Sequence, residues 1–231
     1  MTAPVSAPAR VRARNSSMEL LRMFAMLLIV CHHSMIHGGL DMLAAGTSGW
    51  ELFELALYTS GKLGVAIFVV ITGYYQAGSR FHAVKPLLLA AQTGFYGIVL
   101  FSIAFARGRL GPMTPALAFF GFKALFSVLY NEYWFVTTYL ALYLFSPFLN
   151  RLIRALSRRE LLALIGLGFA VISLLPTVFF IQMNWSGMGT LFALLYLIGA
   201  YLRLYPPARG VPGGALVAGA AAAQPVVILL V

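Results

Sequence analysis

Three of the chain's four histidines fall in one stretch, LLIVCHHSMIHGG at residues 27–39, as His32, His33 and His37. Imidazole exchanges a proton near neutral pH, so it can serve as a general base, a proton relay or a metal ligand. Arg22 stands eleven positions before His33. At about 100° per residue the two differ by about 20° and share one helix face. Glu19, Met26 and His37 fall within about 60° of that stripe, whereas His32 points about 100° away. His33 lies roughly 16 Å beyond Arg22 along the axis, given a rise of about 1.5 Å per residue.

Metal binding is the first chemistry to weigh. His33 and His37 stand at i and i+4 and could share an ion. No carboxylate sits between them in an HExxH arrangement, and the fourth histidine, His82, belongs to a different loop. No metal is therefore expected. Proton transfer remains. An ionisable group inside a membrane span is costly and is a functional candidate for that reason. Arg22 can snorkel to the interface, but His33 lies too deep to do so.

The elements that must position these groups are membrane helices. Hydrophobic residues make up 61% of the 231 and charged residues only 10%, with a mean hydropathy of +0.89. These values exclude an ordinary soluble domain. The net charge of +10 does not indicate nucleic acid, because Arg and Lys sit in short gaps between apolar runs. One cysteine, Cys31, excludes an intrachain disulfide. The fold expected is all-α, a polytopic transmembrane bundle.

Spans of roughly 20 apolar residues are predicted near 18–37, 58–77, 86–106, 132–150, 160–181 and 189–205. The stretch 114–130 is read as interfacial or re-entrant. The run 215–231 reaches the chain end without a polar tail. Residues 1–17 read as a disordered basic cytoplasmic arm and 18–231 as the membrane domain. Arg10, Arg12 and Arg14 precede the first span. Arg80 and Lys85 follow the second, Arg151, Arg154, Arg158 and Arg159 the fourth, and Arg203 and Arg209 the sixth. A cytoplasmic N-terminus puts these clusters inside, while Arg107, Arg109 and Lys123 fall on the other side. Gly38-Gly39 supplies a helix stop, and Gly64 and Gly73 are expected to allow close helix approach.

MELLRMFAMLLIVCHHSMIHGG resembles the first helix of the membrane acyltransferase-3 family, bacterial acyl-CoA-dependent O-acyltransferases of cell-surface glycans. The family's mark is an Arg, ten residues, then a His, which Arg22 and His33 match. GKLGVAIFVVITGYY, 61–75, is similar to the second-helix element, with Thr72 where Ser is usual. EYWFVTTYLALYLFSPFLNRLI, 132–153, and LYLIGAYLRLYP, 195–206, are similar to later helices of one branch. The resemblance spans about 17–206. The family's bundle is larger than the about six to eight spans present here, so the resemblance implies a chain incomplete at its C-terminus.

The resemblance implies transfer of an acyl group, commonly acetyl, from acyl-CoA to a hydroxyl of a surface or exported polysaccharide at the bacterial inner membrane. An alcohol is too weak an acid to attack unaided near neutral pH, and a positioned base removes its proton. His33 is the candidate, as that base or as a covalent acyl carrier; sequence leaves both open. Arg22 is its catalytic partner, anchoring a CoA phosphate or orienting a neighbour of His33. Arg80 and Lys85, beside Pro86 at a helix start, are candidate CoA-phosphate contacts. Glu132, Trp134 and His32 are candidate contacts to the sugar. Membrane lipid, acyl-CoA and the glycan are the expected partners, with no nucleic acid. A glycan transporter using the histidines as a relay, or an inactive fragment, is the competing reading.

Overall fold

The computed structural model describes residues 16–38, 48–130, 133–179 and 188–206. The basic arm up to residue 15, Glu132, Arg209 and the run 215–231 lie outside the described residues. The described chain is all-α: α1 (Ser16–His37), α2 (Gly49–Gln76), α3 (Val84–Ala106), α4 (Pro115–Leu125), α5 (Trp134–Ala155), α6 (Arg158–Phe169), α7 (Leu175–Phe179) and α8 (Met188–Leu204), with a π-helical turn Ala170–Leu174 joining α6 to α7. Helices therefore occupy the described part of all six stretches predicted as spans. Among the described residues α1, α2 and α3 are long and apolar enough to cross a membrane, with mean hydropathies of 1.5, 1.7 and 1.8.

Two boundaries differ from expectation for local reasons. The second span was predicted from residue 58, but α2 starts at Gly49. A reciprocal pair starts it: Ser48 N–H donates to Glu51 Oε2 at 2.9 Å and Glu51 N–H donates to Ser48 Oγ at 3.3 Å. This capping box starts the helix nine residues earlier and brings Glu51 and Glu54 into it. At 28 residues, α2 is about 42 Å long and exceeds the hydrocarbon core of about 30 Å. The stretch 114–130 yields only the 11-residue α4, about 16 Å long and too short to span. Thr114 caps it, its Oγ1 accepting from Leu117 N–H at 3.1 Å.

The chain divides into two compact units, residues 1–67 and 68–231. In the first, α1 packs on the N-terminal part of α2. A Cβ at Gly64 would meet the Ala25 carbonyl oxygen at 2.6 Å and Ile29 Cγ1 at 2.8 Å. Only glycine there permits so close an approach, which supplies the dispersion contacts that hold membrane helices together. Ser60 Oγ adds a hydrogen bond to the Leu28 carbonyl at 3.2 Å. The α1 face applied to α2 thus carries Ala25, Leu28, Ile29 and His32.

In the second unit, α3 packs against α4 and α5, and α8 packs against α5 and α6. The C-terminal turns of α2 cross α8 on two glycines. A Cβ at Gly73 would fall 2.8 Å from Tyr196 Cα, and one at Gly199 would fall 2.8 Å from Tyr74 N. Gly64 and Gly73 both act as the sequence predicts. Phe192, Tyr196, Val69 and Leu161 are the largest fully buried apolar side chains of this core.

Candidate active site

α1 positions the histidines. Its ladder ends at His37, and Gly38 N–H closes the last turn on the Ser34 carbonyl at 2.8 Å. The three imidazoles form a continuous ring cluster. His32 and His33 meet edge to face with centroids 5.4 Å apart, and His33 stacks on His37 at 5.9 Å with the planes 7° apart.

Their environments differ. His32 is half-buried against α2, where its ring lies edge to face with Tyr58 at 5.5 Å. Its Nδ1 is hydrogen-bonded to the Tyr58 main-chain carbonyl. A carbonyl only accepts, so His32 carries a proton on Nδ1, and in the neutral ring Nε2 keeps the lone pair. The ring occupies space that any side chain at residue 61 would take, since a Cβ at Gly61 would lie 2.8 Å from His32 Cβ. His33 is exposed, and its ring nitrogens make no hydrogen bond among the described residues. Arg22 sits about three turns before His33 and pairs with Glu19, one turn earlier, at 2.9 Å. The structure gathers His32, His33 and His37, and holds Arg22 with Glu19 further down the same helix.

In the second unit, Arg80 lies in the turn between α2 and α3 and Lys85 in the first turn of α3, and both are exposed. The turn is tied down at two points. Asn150 Nδ2 donates to the Gln76 carbonyl at 3.1 Å, capping the end of α2 from α5. The Tyr143 hydroxyl donates to the His82 carbonyl and accepts from the His82 N–H, both at 3.3 Å. Asn150 Oδ1 in turn accepts from the buried Tyr196 hydroxyl at 2.8 Å. Pro147 explains its neighbour. Having no N–H, it cannot bond the Tyr143 carbonyl, and the buried Ser146 Oγ donates to that carbonyl instead at 2.7 Å. The stretch SPFLN is therefore a helix turn with its own repair, presenting Asn150 to α2. Trp134 opens α5, part-exposed, with its ring 6.4 Å from Phe192.

Residues 15–230 match the acyltransferase domain of the acyltransferase-3 family. The chain belongs to the membrane acyltransferase-3 family. No curated protein and no solved structure matches it. The match covers nearly every residue discussed above, and it makes the chain a membrane acyltransferase in general terms.

For an acyltransferase the arrangement offers one exposed imidazole beside one anchored imidazole. It also offers a pair of cations on a clasped turn. Tyr58, Gly61, Tyr143 and Asn150 were not among the residues singled out from sequence. Tyr58 acts through its main chain, which carries no residue-type signal. Tyr143 and Asn150 lie within the quoted stretch 132–153, but their partners are 61 and 74 residues away.

Proposed function

We propose that this acyltransferase moves an acetyl group from acetyl-CoA to a hydroxyl of a surface or exported glycan. It works in the bacterial inner membrane with its N-terminus in the cytoplasm. His33 takes the proton of the attacking hydroxyl as the new C–O bond forms at the thioester carbonyl. The C–S bond then breaks, and the CoA thiolate leaves and accepts a proton. Arg22 holds charge on the cytoplasmic side of α1. Arg80 and Lys85 contact the phosphates of CoA, and His32 and Trp134 contact the sugar, with Glu132 beside Trp134 in sequence.

The observation that carries this reading is the division of labour between adjacent histidines. His32 is tied to the Tyr58 carbonyl, while His33, in register with Arg22, keeps its ring exposed. A general base has to reach its substrate, and a positioned base contributes typically about 10²–10⁴-fold.

Membranes carrying the protein are incubated with [³H-acetyl]-CoA and the polysaccharide fraction of the same cells, and alkali-labile label is counted. Label should enter the polysaccharide, and His33→Ala should reduce it by about 10²–10⁴-fold at equal insertion. Near-normal labelling by His33→Ala would remove His33 from the chemistry. Label held as an acid-labile acyl-imidazole on the protein would make His33 a covalent carrier instead of a base.

A further inference from the structure

A base must hold one ring nitrogen within about 2.6–3.2 Å of the hydroxyl it deprotonates. A histidine ring turns about a broad, roughly two-fold χ2 torsion, and a hydrogen bond from its second nitrogen ordinarily stops it. His33 makes no such bond among the described residues. Its imidazole is therefore oriented by what it touches.

Two rings touch it. His32 meets His33 edge to face, with the planes 62° apart. His32 is itself immobilised by its bond to the Tyr58 carbonyl and its close fit to Gly61. His37 covers the His33 ring from the next turn, with centroids 5.9 Å apart and planes within 7°. Both separations lie in the range of about 4.5–7 Å where aromatic rings attract. The placement follows from the helix. Each Cα–Cβ bond tilts toward the N-terminus, so a side chain at i+4 lies back over the one at i. The backbone stays helical through His37, because Gly38 N–H closes on the Ser34 carbonyl at 2.8 Å.

His37 has no other ring contact and no hydrogen bond among the described residues. Its one interaction there is with His33. We propose that His37 is a positioning residue, whose stacked ring holds the His33 imidazole at the angle that presents a nitrogen to the acceptor hydroxyl. This rests on the reading of His33 as the base. No hydrogen bond joins the two rings, so the face of the His37 ring does the holding and its nitrogens do not. A phenyl ring in its place should serve as well.

His37→Ala and His37→Phe are compared with wild type in the acetyl-transfer assay at equal insertion. His37 is exposed, so neither change opens a hole in the core. His37→Ala should lower kcat about fivefold or more, since a misplaced group can cost up to about 10²-fold, with KM for acetyl-CoA unchanged. His37→Phe should restore kcat to within about twofold of wild type. A second measurement needs no turnover: diethyl pyrocarbonate modification of His33 in the purified full chain, followed by peptide mass spectrometry. His33 should react at least threefold faster in His37→Ala and at the wild-type rate in His37→Phe. A kcat unchanged in His37→Ala, or a modification rate unchanged in it, would overturn the proposal. So would a His37→Phe variant as slow as His37→Ala and rescued by added imidazole, which would make His37 a proton relay. If His33→Ala is inactive, these outcomes bear on His37 alone; if His33→Ala is active, the assignment of the base falls and this proposal with it.

Discussion

The imidazole of His32 on α1 is hydrogen-bonded through Nδ1 to the main-chain carbonyl of Tyr58 on α2, and it lies in the space left by the absent side chain of Gly61. One glycine and one carbonyl thus set both the position and the tautomer of the ring next to His33.

This relationship makes residues 32 and 61 a coupled pair. Gly61→Ala puts a methyl into the His32 ring and should destabilise by about 1–3 kcal/mol, the usual cost of overpacking. His32→Ala should also destabilise, by losing the ring and its hydrogen bond. In the double variant the ring is gone and only the two Cβ atoms, 2.8 Å apart, remain in conflict, so the combined loss should fall short of the sum by about 1 kcal/mol or more. Denaturation of the four proteins in one detergent measures the coupling; strict additivity would mean that the ring is not seated on Gly61.

Asn150 bonds both the end of α2 and Tyr196. Asn150→Leu removes the acceptor of the buried Tyr196 hydroxyl and the tie from α5 to the Gln76 carbonyl, which keeps its bond from Ser79 N–H at 3.1 Å, and should cost about 1–3 kcal/mol. Asn150→Asp can still accept from Tyr196 but faces the Gln76 carbonyl with an oxygen, so it should not restore wild-type stability. A melting temperature unchanged in either variant would contradict the network.

The glycine crossing of α2 and α8 admits no side chain. Gly73→Val and Gly199→Val should each lower the melting temperature or abolish folded protein, because the methyls meet backbone that cannot rotate away. Gly166→Ala is the control. Nothing lies within 4 Å of its Cβ position, so stability should hold or rise slightly, as the change favours helix.

Tyr143 clasps the turn that carries Arg80 and leads into Lys85 at the start of α3. If that turn contacts CoA, Tyr143→Phe should raise KM for acetyl-CoA several-fold and leave kcat near wild type, because a mispositioned binding loop weakens ground-state and transition-state binding alike. Arg80→Ala/Lys85→Ala should raise KM further. A fall in kcat with KM unchanged would place Tyr143 in some other role.

The topology is open to direct labelling. In a Cys31→Ser background, single cysteines at Ser17 and Gly78, both exposed, should react with a membrane-impermeant maleimide from the same side of the membrane. Labelling from opposite sides would overturn the cytoplasmic assignment of the α2–α3 turn.

Composition and hydropathy alone determined that the chain is helical and membrane-borne, because apolar runs of span length admit little else in a bilayer. Helix periodicity put Arg22 and His33 on one stripe of α1 and His32 on another, since 3.6 residues per turn follows from local backbone geometry. Gly38 as a helix stop and the glycines at 64 and 73 as points of close approach were legible from residue type alone, because glycine has no Cβ. The tertiary structure decided which stripe meets a neighbour. It seats Ala25, Leu28, Ile29 and His32 on α2, so His32 is anchored and His33 is exposed. It also decided that Asn150 caps α2 and that Tyr143 holds His82. Those contacts join residues 61 and 74 positions apart. Each depends on how one helix is rotated against another, and that rotation is set by side-chain shape across the contact, which no local pattern in either helix encodes.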